Sequence, residues 1–253
     1  TSMNGADSLT EALLAHGVEV CFANPGTSEM HVVAALDRST RLRCILGLFE
    51  GVVPGAADGY GRMADKPAAT LLHTGPGLAN GLANVHNARR ARTPMINIVG
   101  DHAGYHLVHD APLTTDVEAL ARPMSDWVGR ATDPASVAPM AAEAWRQAMT
   151  RPGVATLIMP ADAAWTDLPT DAAARRVAPI ALPAREPGSG DALAASVAAI
   201  RAGARVALLL AGRAVRTDAL VIAGRIADAT GIRLVSETFA SRIERGAGRV
   251  PTE

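Results

Sequence analysis

Short apolar runs alternate with helix-patterned segments along most of this chain, and that alternation limits the fold more than any other feature. Strand-like runs stand at 18–23, 43–49, 68–73, 95–99 and 155–159. The segments between them, at 6–16, 29–38, 51–64, 78–91 and 135–149, space their apolar residues as helices do, with Leu9, Ala12 and Leu13 sharing one side of the first. Gly17 reads as a helix stop, and Asn24-Pro25-Gly26-Thr27 and Gly75-Pro76-Gly77 read as turns, with Thr27 or Ser28 capping the helix at 29–38. A longer irregular stretch covers 101–115, before a short helix at 116–121. Strands separated by helices predict an α/β fold: a doubly wound, mostly parallel sheet flanked by helices.

The texture changes near residue 169. Pro169, Pro179, Pro183, Pro187, Gly188 and Gly190 mark a linker over 169–190, which separates a first domain, 1–168, from a second unit, 191–253. The second unit predicts helices at 191–202 and 217–230 and strands at 206–210 and 233–236. Two strands are few for an open α/β sheet that must cover both faces. The reading is the start of a second α/β domain, cut short or completed by another chain.

Composition excludes several classes. Hydrophobic residues make up 49% and charged residues 19% of 253, which suits a packed soluble core, and the 3% aromatic content leaves small aliphatic side chains to fill it. The formal net charge of −1 gives no electrostatic reason to expect nucleic acid or an anionic membrane as a partner. No run reaches the ~18 apolar residues of a membrane span. Thr1-Ser2-Met3-Asn4 has neither the charged nor the apolar region of a secretory signal, and Thr1-Ser2 reads as an appended dipeptide. Cys21 and Cys44 lie in strand-like runs and are expected to be small buried side chains in a reducing cytoplasm.

Two ionisable residues stand where strands end. Glu50 follows the apolar run closing at Phe49 and opens a small-residue segment through Val52, Val53, Gly55, Ala56 and Ala57. A carboxylate among such neighbours is costly unless something uses it, and burial is expected to raise its pKa. His73 ends the next run, before Gly75-Pro76-Gly77. Two such groups, each followed by a glycine-containing turn, point to a site at one edge of a sheet. His102, His106 and His109 have a metal-like spacing, but Gly104 and Pro112 interrupt any continuous helix, so no metal ligand is assigned in this chain. Arg89, Arg90 and Arg92 form a basic cluster that suits a helix C-terminus.

Asn24-Pro25-Gly26-Thr27, Glu50 with Ala56-Ala57-Asp58-Gly59-Tyr60, and Gly75-Pro76-Gly77-Leu78-Ala79-Asn80 resemble the motifs of thiamine diphosphate enzymes, in the right order over most of 4–165. The subgroup is that of acetolactate synthase large subunits, benzoylformate decarboxylase and pyruvate decarboxylase. The resemblance implies a pyrimidine-binding domain followed by part of a central domain. It also implies a homodimer or homotetramer with the cofactor shared between subunits, acting on a small 2-oxo acid. Glu50 would hydrogen-bond N1′ of the aminopyrimidine, favouring the tautomer that deprotonates the thiazolium. The resulting ylide attacks the oxo acid, and loss of CO₂ leaves an enamine that is ligated or protonated. His73 stands where benzoylformate decarboxylases have an active-site histidine and would transfer a proton. Asn24, Pro25 and Gly26 resemble the loop beside the cofactor, with Thr27 or Ser28 reaching substrate. Pro76 and Asn80 match positions lining the aminopyrimidine. Asp101, assigned with the cofactor-binding positions, stands where acetolactate synthases often carry glutamine, and His109, a candidate substrate contact, matches a segment that holds active-site histidines in pyruvate decarboxylases.

Departures accompany the resemblance. The Gly-Asp-Gly that opens the family's Mg²⁺ and diphosphate site is absent, since Gly100-Asp101 is followed by His102. The Mg²⁺ ligands are therefore expected outside this sequence, and FAD, bound by some relatives through the central domain, stays open. An alternative reading is a partial pyrimidine-domain subunit that needs a separate diphosphate-domain chain. An unrelated dinucleotide-binding protein is disfavoured, because no G-x-G-x-x-G follows the first strand.

Overall fold

The computed structural model describes residues 2–173, 177–184, 186–203 and 205–253. The chain divides into two units, Thr1–Leu182 and Pro183–Glu253. The boundary falls inside the expected 169–190 linker, whose first part includes a short helix.

In the first unit the elements run α1 (Gly5–Ala15), β1 (Val20–Asn24), α2 (Met30–Arg38), β2 (Arg43–Leu46), α3 (Val52–Ala64), β3 (Ala68–Leu72), α4 (Thr74–Arg90) and β4 (Met95–Asp101). They continue with α5 (Val117–Ala121), β5 (Trp127–Arg130), α6 (Pro134–Thr150), β6 (Val154–Pro160), α7 (Ala161–Trp165) and α8 (Thr170–Ala173). The strands form one parallel sheet in the order β2-β1-β3-β4-β6-β5. This is the expected doubly wound architecture.

Two sequence expectations are corrected. Gly75-Pro76-Gly77 is not a free turn but part of the first turn of α4, where proline's missing N–H needs no partner. The strand β5 went unread, because Trp127-Val128-Gly129-Arg130 is only four residues long and carries a glycine.

The central strands are buried on both faces, as helices on either side require. On one face α1, α2 and α6 cover Leu9, Leu13, Val32, Leu36, Leu71, Ile96, Ile98 and Leu157. On the other, α3, α4 and α5 cover two smaller clusters, one around Leu72, Leu78, Val99 and Ile158 and one around Ala68, Val85, Met95 and Val154. Between those clusters runs a buried polar ladder. Thr70 Oγ1 donates to Asn97 Oδ1 at 2.7 Å, Asn97 Nδ2 donates to Thr156 Oγ1 at 3.1 Å, and the Ser125 and Thr156 hydroxyls share a hydrogen bond of 2.7 Å. Thr70, Asn97 and Thr156 are register partners across β3, β4 and β6, so the strand pairing itself aligns them.

The two cysteines differ in environment. Cys21 is buried, as expected, but Cys44 is exposed, because β2 is the sheet's edge strand and no element covers that position.

The second unit holds α9 (Gly190–Arg201), β7 (Ala207–Leu210), α10 (Thr217–Thr230) and β8 (Arg233–Ser236). Its two strands pair in parallel, and Leu210, Val215, Leu220, Ala223 and Leu234 form a small core. Gly231 closes α10 in the left-handed conformation with φ +73°.

Replacing Asn97 by alanine leaves the buried Thr70 hydroxyl without its acceptor and removes one of the two partners of Thr156, which keeps Ser125. The expected cost is about 3 kcal/mol, read as a lower urea midpoint at unchanged slope. A change below about 0.5 kcal/mol would show that the ladder is not a stabilising network.

Candidate active site

The helices after β1 and β3 lie on opposite faces of the sheet, which opens a crevice outside the carboxyl ends of these neighbouring strands. The residues that end β1, β2 and β3 meet there.

A 3-10 turn over Thr27–Glu29 follows β1. Glu29 stands three residues after the capping glycine and reaches back, so that its Oε2 accepts from the Gly26 N–H at 2.7 Å. The same oxygen is 2.8 Å from His73 Nδ1 at the end of β3. Gly26 is needed for this approach, since a Cβ there would lie 2.4 Å from the imidazole. The side of Glu29 is equally tight: a Cβ on Gly100 of β4 would fall 1.5 Å from Oε1. Glu29 is 1% exposed, and Oε1 is buried without a hydrogen-bond partner.

The network assigns the proton on Nδ1 of His73, because Glu29 Oε2 already accepts from a backbone N–H. The carboxylate thus fixes the imidazole's tautomer and leaves Nε2 as the nitrogen able to accept a proton. Beyond His73, Thr74 is fully buried at φ +49°, a strained conformation for a β-branched residue. That strain sits at the turn where β3 hands over to α4, directly beside the histidine.

Glu50 comes after β2, one residue before the capping Gly51 of α3. Asn24 Nδ2 donates to the Gly47 carbonyl at 2.8 Å, tying the end of β1 to the segment that leads to Glu50. From the other side α4 supplies two amides. Asn80 Nδ2 donates to Glu50 Oε2 at 3.1 Å, and Asn84 Nδ2 to the Gly51 carbonyl at 2.7 Å. Gly77 and Gly81 of α4 face the same segment. A Cβ on Gly77 would lie 3.5 Å from His73 Cβ and 3.7 Å from Glu50 Cγ, so the two ionisable side chains flank one glycine.

The expected desolvation of Glu50 is not seen. Its side chain is half-buried, with Phe49 53% and Val52 56% exposed and only Val53 enclosed. The reason is positional: β2 ends at Leu46 on the sheet edge, and the following residues project from the rim. Leu46 and Leu48 are exposed there as well.

The remaining sequence candidates divide. Pro25, Thr27 and Ser28 lie in the loop after β1, and Pro76 is exposed in the first turn of α4, all at this edge. Asp101 is 1% exposed and engaged elsewhere, with one oxygen 2.8 Å from Arg130 Nη2 of β5 and the other accepting from the His102 N–H. His109 is exposed in a 3-10 segment over Gly104–His109, its ring 5.7 Å from that of His106. Neither Asp101 nor His109 is hydrogen-bonded to Glu50 or His73 among the described residues. Among the described residues no group of three His, Cys, Asp or Glu side chains gathers to hold a metal.

Asp58, part of the recognisable Ala57-Asp58-Gly59-Tyr60 segment, is spent within α3. It receives both Nε and Nη2 of Arg62, at 2.9 and 2.8 Å. The residue that sequence reasoning missed is Glu29. Its signal was the spacing Gly26 to Glu29, which is that of a capping box.

Residues 3–120 match the family model described as thiamine pyrophosphate enzyme, N-terminal TPP binding domain. Over 246 residues the chain is 50% identical to the putative acetolactate synthase large subunit IlvX of Mycobacterium tuberculosis, covering 97% of this chain and 46% of that protein. It is 33% identical over 118 residues to benzoylformate decarboxylase of Pseudomonas aeruginosa, covering 46% of this chain and 22% of that one. Among solved structures, the thiamine diphosphate-dependent 4-hydroxybenzoylformate decarboxylase of Rhodococcus jostii RHA1 shares the fold with a TM-score of 0.80 at 22% identity, over 92% of this chain and 44% of that chain. The chain spans less than half the length of each of these proteins.

Burial pushes the Glu29 carboxyl above the ordinary carboxylate range, against the opposing pull of the Gly26 N–H and of His73. A raised value means that the folded chain holds the proton more tightly than the unfolded chain. That contribution is complete below about pH 4 and is lost as pH rises through the folded value. A Glu29→Gln variant should therefore match the parent near pH 4 and become the more stable of the two as pH rises, measured by thermal unfolding at fixed salt. A parent that gains on the variant with rising pH would show that the hydrogen bonds outweigh burial.

Proposed function

As the chain belongs to the thiamine pyrophosphate enzymes through its N-terminal domain at residues 3–120, we propose that it serves a thiamine diphosphate-dependent decarboxylation of a small 2-oxo acid. The observation that carries this reading is the pairing across Gly77: a half-exposed carboxylate steadied by an amide, beside an imidazole steadied by a buried carboxylate.

These residues fit the pyrimidine half of the cofactor. Glu50 offers an acidic oxygen at a rim lined by the apolar Leu48, Phe49 and Val52, which suits a flat, partly apolar ring carrying a basic nitrogen. Glu50 holds a proton at that ring nitrogen, and Asn80 keeps the carboxylate turned toward it. Asn24 and Asn84 fix the backbone on either side of Glu50, so its position does not depend on its own rotamer alone. When bound, thiamine diphosphate supplies the nucleophilic carbon and the electron sink that the loss of CO₂ requires.

His73 handles the second proton. With Nδ1–H committed to Glu29, Nε2 accepts a proton in one half of the cycle and returns it in the other. This favours protonation of the decarboxylated product over its ligation to a second oxo acid, and an aldehyde is the product we assign. Formation of a hydroxy-ketone or acetohydroxy acid instead would move the chain to the carboligase branch. Thr27 and Ser28, in the same crevice, are the proposed contacts to the substrate carboxylate.

The Mg²⁺ and diphosphate half of the site is assigned to a segment beyond the residues described. Two copies of the chain sharing the cofactor would cover the exposed Leu46, Leu48, Phe49 and Val52. Two unpaired thiols suit the cytoplasm.

Adding thiamine diphosphate and Mg²⁺ to the purified protein with the diphosphate-binding segment present should release CO₂ from at least one member of a panel of aliphatic and aromatic 2-oxo acids. Glu50→Gln should slow hydrogen–deuterium exchange at the thiazolium C2 by about 10²–10⁴-fold while the chain stays folded. Near-parental exchange would remove Glu50 from the role given to it. His73→Ala should lower kcat by about 10²-fold with the cofactor Kd unchanged. Equal losses in kcat and cofactor affinity would make His73 a structural residue.

A further inference from the structure

The chain's two cysteines lie side by side. Cys21 of β1 and Cys44 of β2 are register partners on adjacent parallel strands. Partners in such a pair project to the same face with Cα atoms about 4.8 Å apart, inside the range of about 4.4–6.8 Å that a disulfide spans. Cys21 belongs to the core packed under α1 and α2, at 2% exposure, whereas Cys44 opens to solvent on the edge strand. No residue of the candidate site needs either thiol, and both are free.

We infer that this pair is a thiol modification site, in which Cys44 reacts with low-molecular-weight disulfides and Cys21 resolves the adduct into a Cys21–Cys44 bridge. The inference stands apart from the proposed decarboxylase function.

The roles follow from position. Cys44 is the thiol that a small molecule can reach, and Cys21 is placed beside it without being reachable itself. The Cys21 thiol donates to the Phe22 carbonyl at 3.8 Å. The neighbouring thiol is the largest influence on each group, pulling Cys44 down to about 7 and pushing Cys21 well up.

The chemistry balances in two exchanges. The Cys44 thiolate, its proton given to solvent, attacks one sulfur of glutathione disulfide. The S–S bond of the oxidant breaks, a mixed disulfide forms on Cys44, and one glutathione thiolate leaves and is protonated. Cys21 then loses its proton to solvent and attacks Cys44 Sγ. The mixed disulfide breaks, the second glutathione leaves, and two protein thiols have been oxidised while one disulfide has been reduced to two thiols. The buried, proton-retaining state of Cys21 makes this second exchange the slower one.

The test uses the full chain under native conditions, with oxidised glutathione as the probe and iodoacetamide as the quench. Peptide mapping of the parent should show a mixed disulfide at Cys44 that converts with time into a peptide pair linked through Cys21 and Cys44. Cys44→Ser should take up no glutathione, and Cys21→Ala should stop at the mixed disulfide. In the parent, alkylation of Cys44 should accelerate as pH rises through about 7, and in Cys21→Ala that midpoint should move toward the ordinary thiol value near 8.5. A parent that accumulates only the mixed disulfide, or modification of Cys21 in the Cys44→Ser variant, would overturn the assigned roles. The linked Cys21–Cys44 peptide pair in the parent decides the case even where the core substitution impairs folding: its absence after prolonged exposure to oxidised glutathione would overturn the proposal.

Discussion

The Glu29 carboxylate, buried at the carboxyl edge of the sheet, is the constraint around which the candidate site is arranged. A buried charge is tolerated only where hydrogen bonds replace the lost water. Here a backbone N–H and an imidazole meet one oxygen, and the other presses against β4 where a glycine leaves room. Three strands are committed by this one side chain. The loop after β1 must curl to present the Gly26 N–H, β3 must end at His73, and β4 must carry Gly100 at the level of Oε1. Any element that moved would leave a carboxylate unpaired in a dry place, so the position of His73 is a by-product of satisfying Glu29.

Glu50 is held by the opposite strategy. It stays half-exposed, and its placement comes from the amides around its backbone and from α4, whose Gly77 and Gly81 let the helix come close. One of the two ionisable groups is fixed from beneath by a charge and the other from the side by neutral donors. The rim around Glu50 is left open while the crevice at His73 is closed.

Much of this was legible in the residues. The strand and helix periods predicted the parallel sheet, and the glycine-containing segments after β1 and β3 pointed to the edge where the candidate site lies. The Glu50 and His73 positions were readable because charged residues at strand ends have few structural uses. What was hidden depended on partners far away in sequence. Glu29 looks like an ordinary helix-start glutamate until β3 brings a histidine to it across 44 residues. Asp101 stands at a strand end as Glu50 and His73 do, yet Arg130 of the unread strand β5 claims it. The exposure of Glu50 and Cys44 turns on β2 being the edge strand, and strand order is not written in local pattern. Asp58 shows the converse: a motif residue useful for recognition can serve the packing of its own helix.

The polar ladder beneath α3, α4 and α5 has a consequence for how the sheet assembles. Parallel strands of small aliphatic residues offer many nearly equivalent alignments, and a slip by one residue turns every side chain to the opposite face. Thr70, Asn97 and Thr156 are the polar residues that would then be thrust among Leu71, Ile96 and Leu157, with no acceptor in reach. The ladder therefore acts as a proofreading device. In a sheet whose apolar residues would accept several pairings, three hydrogen-bonding side chains penalise all but one.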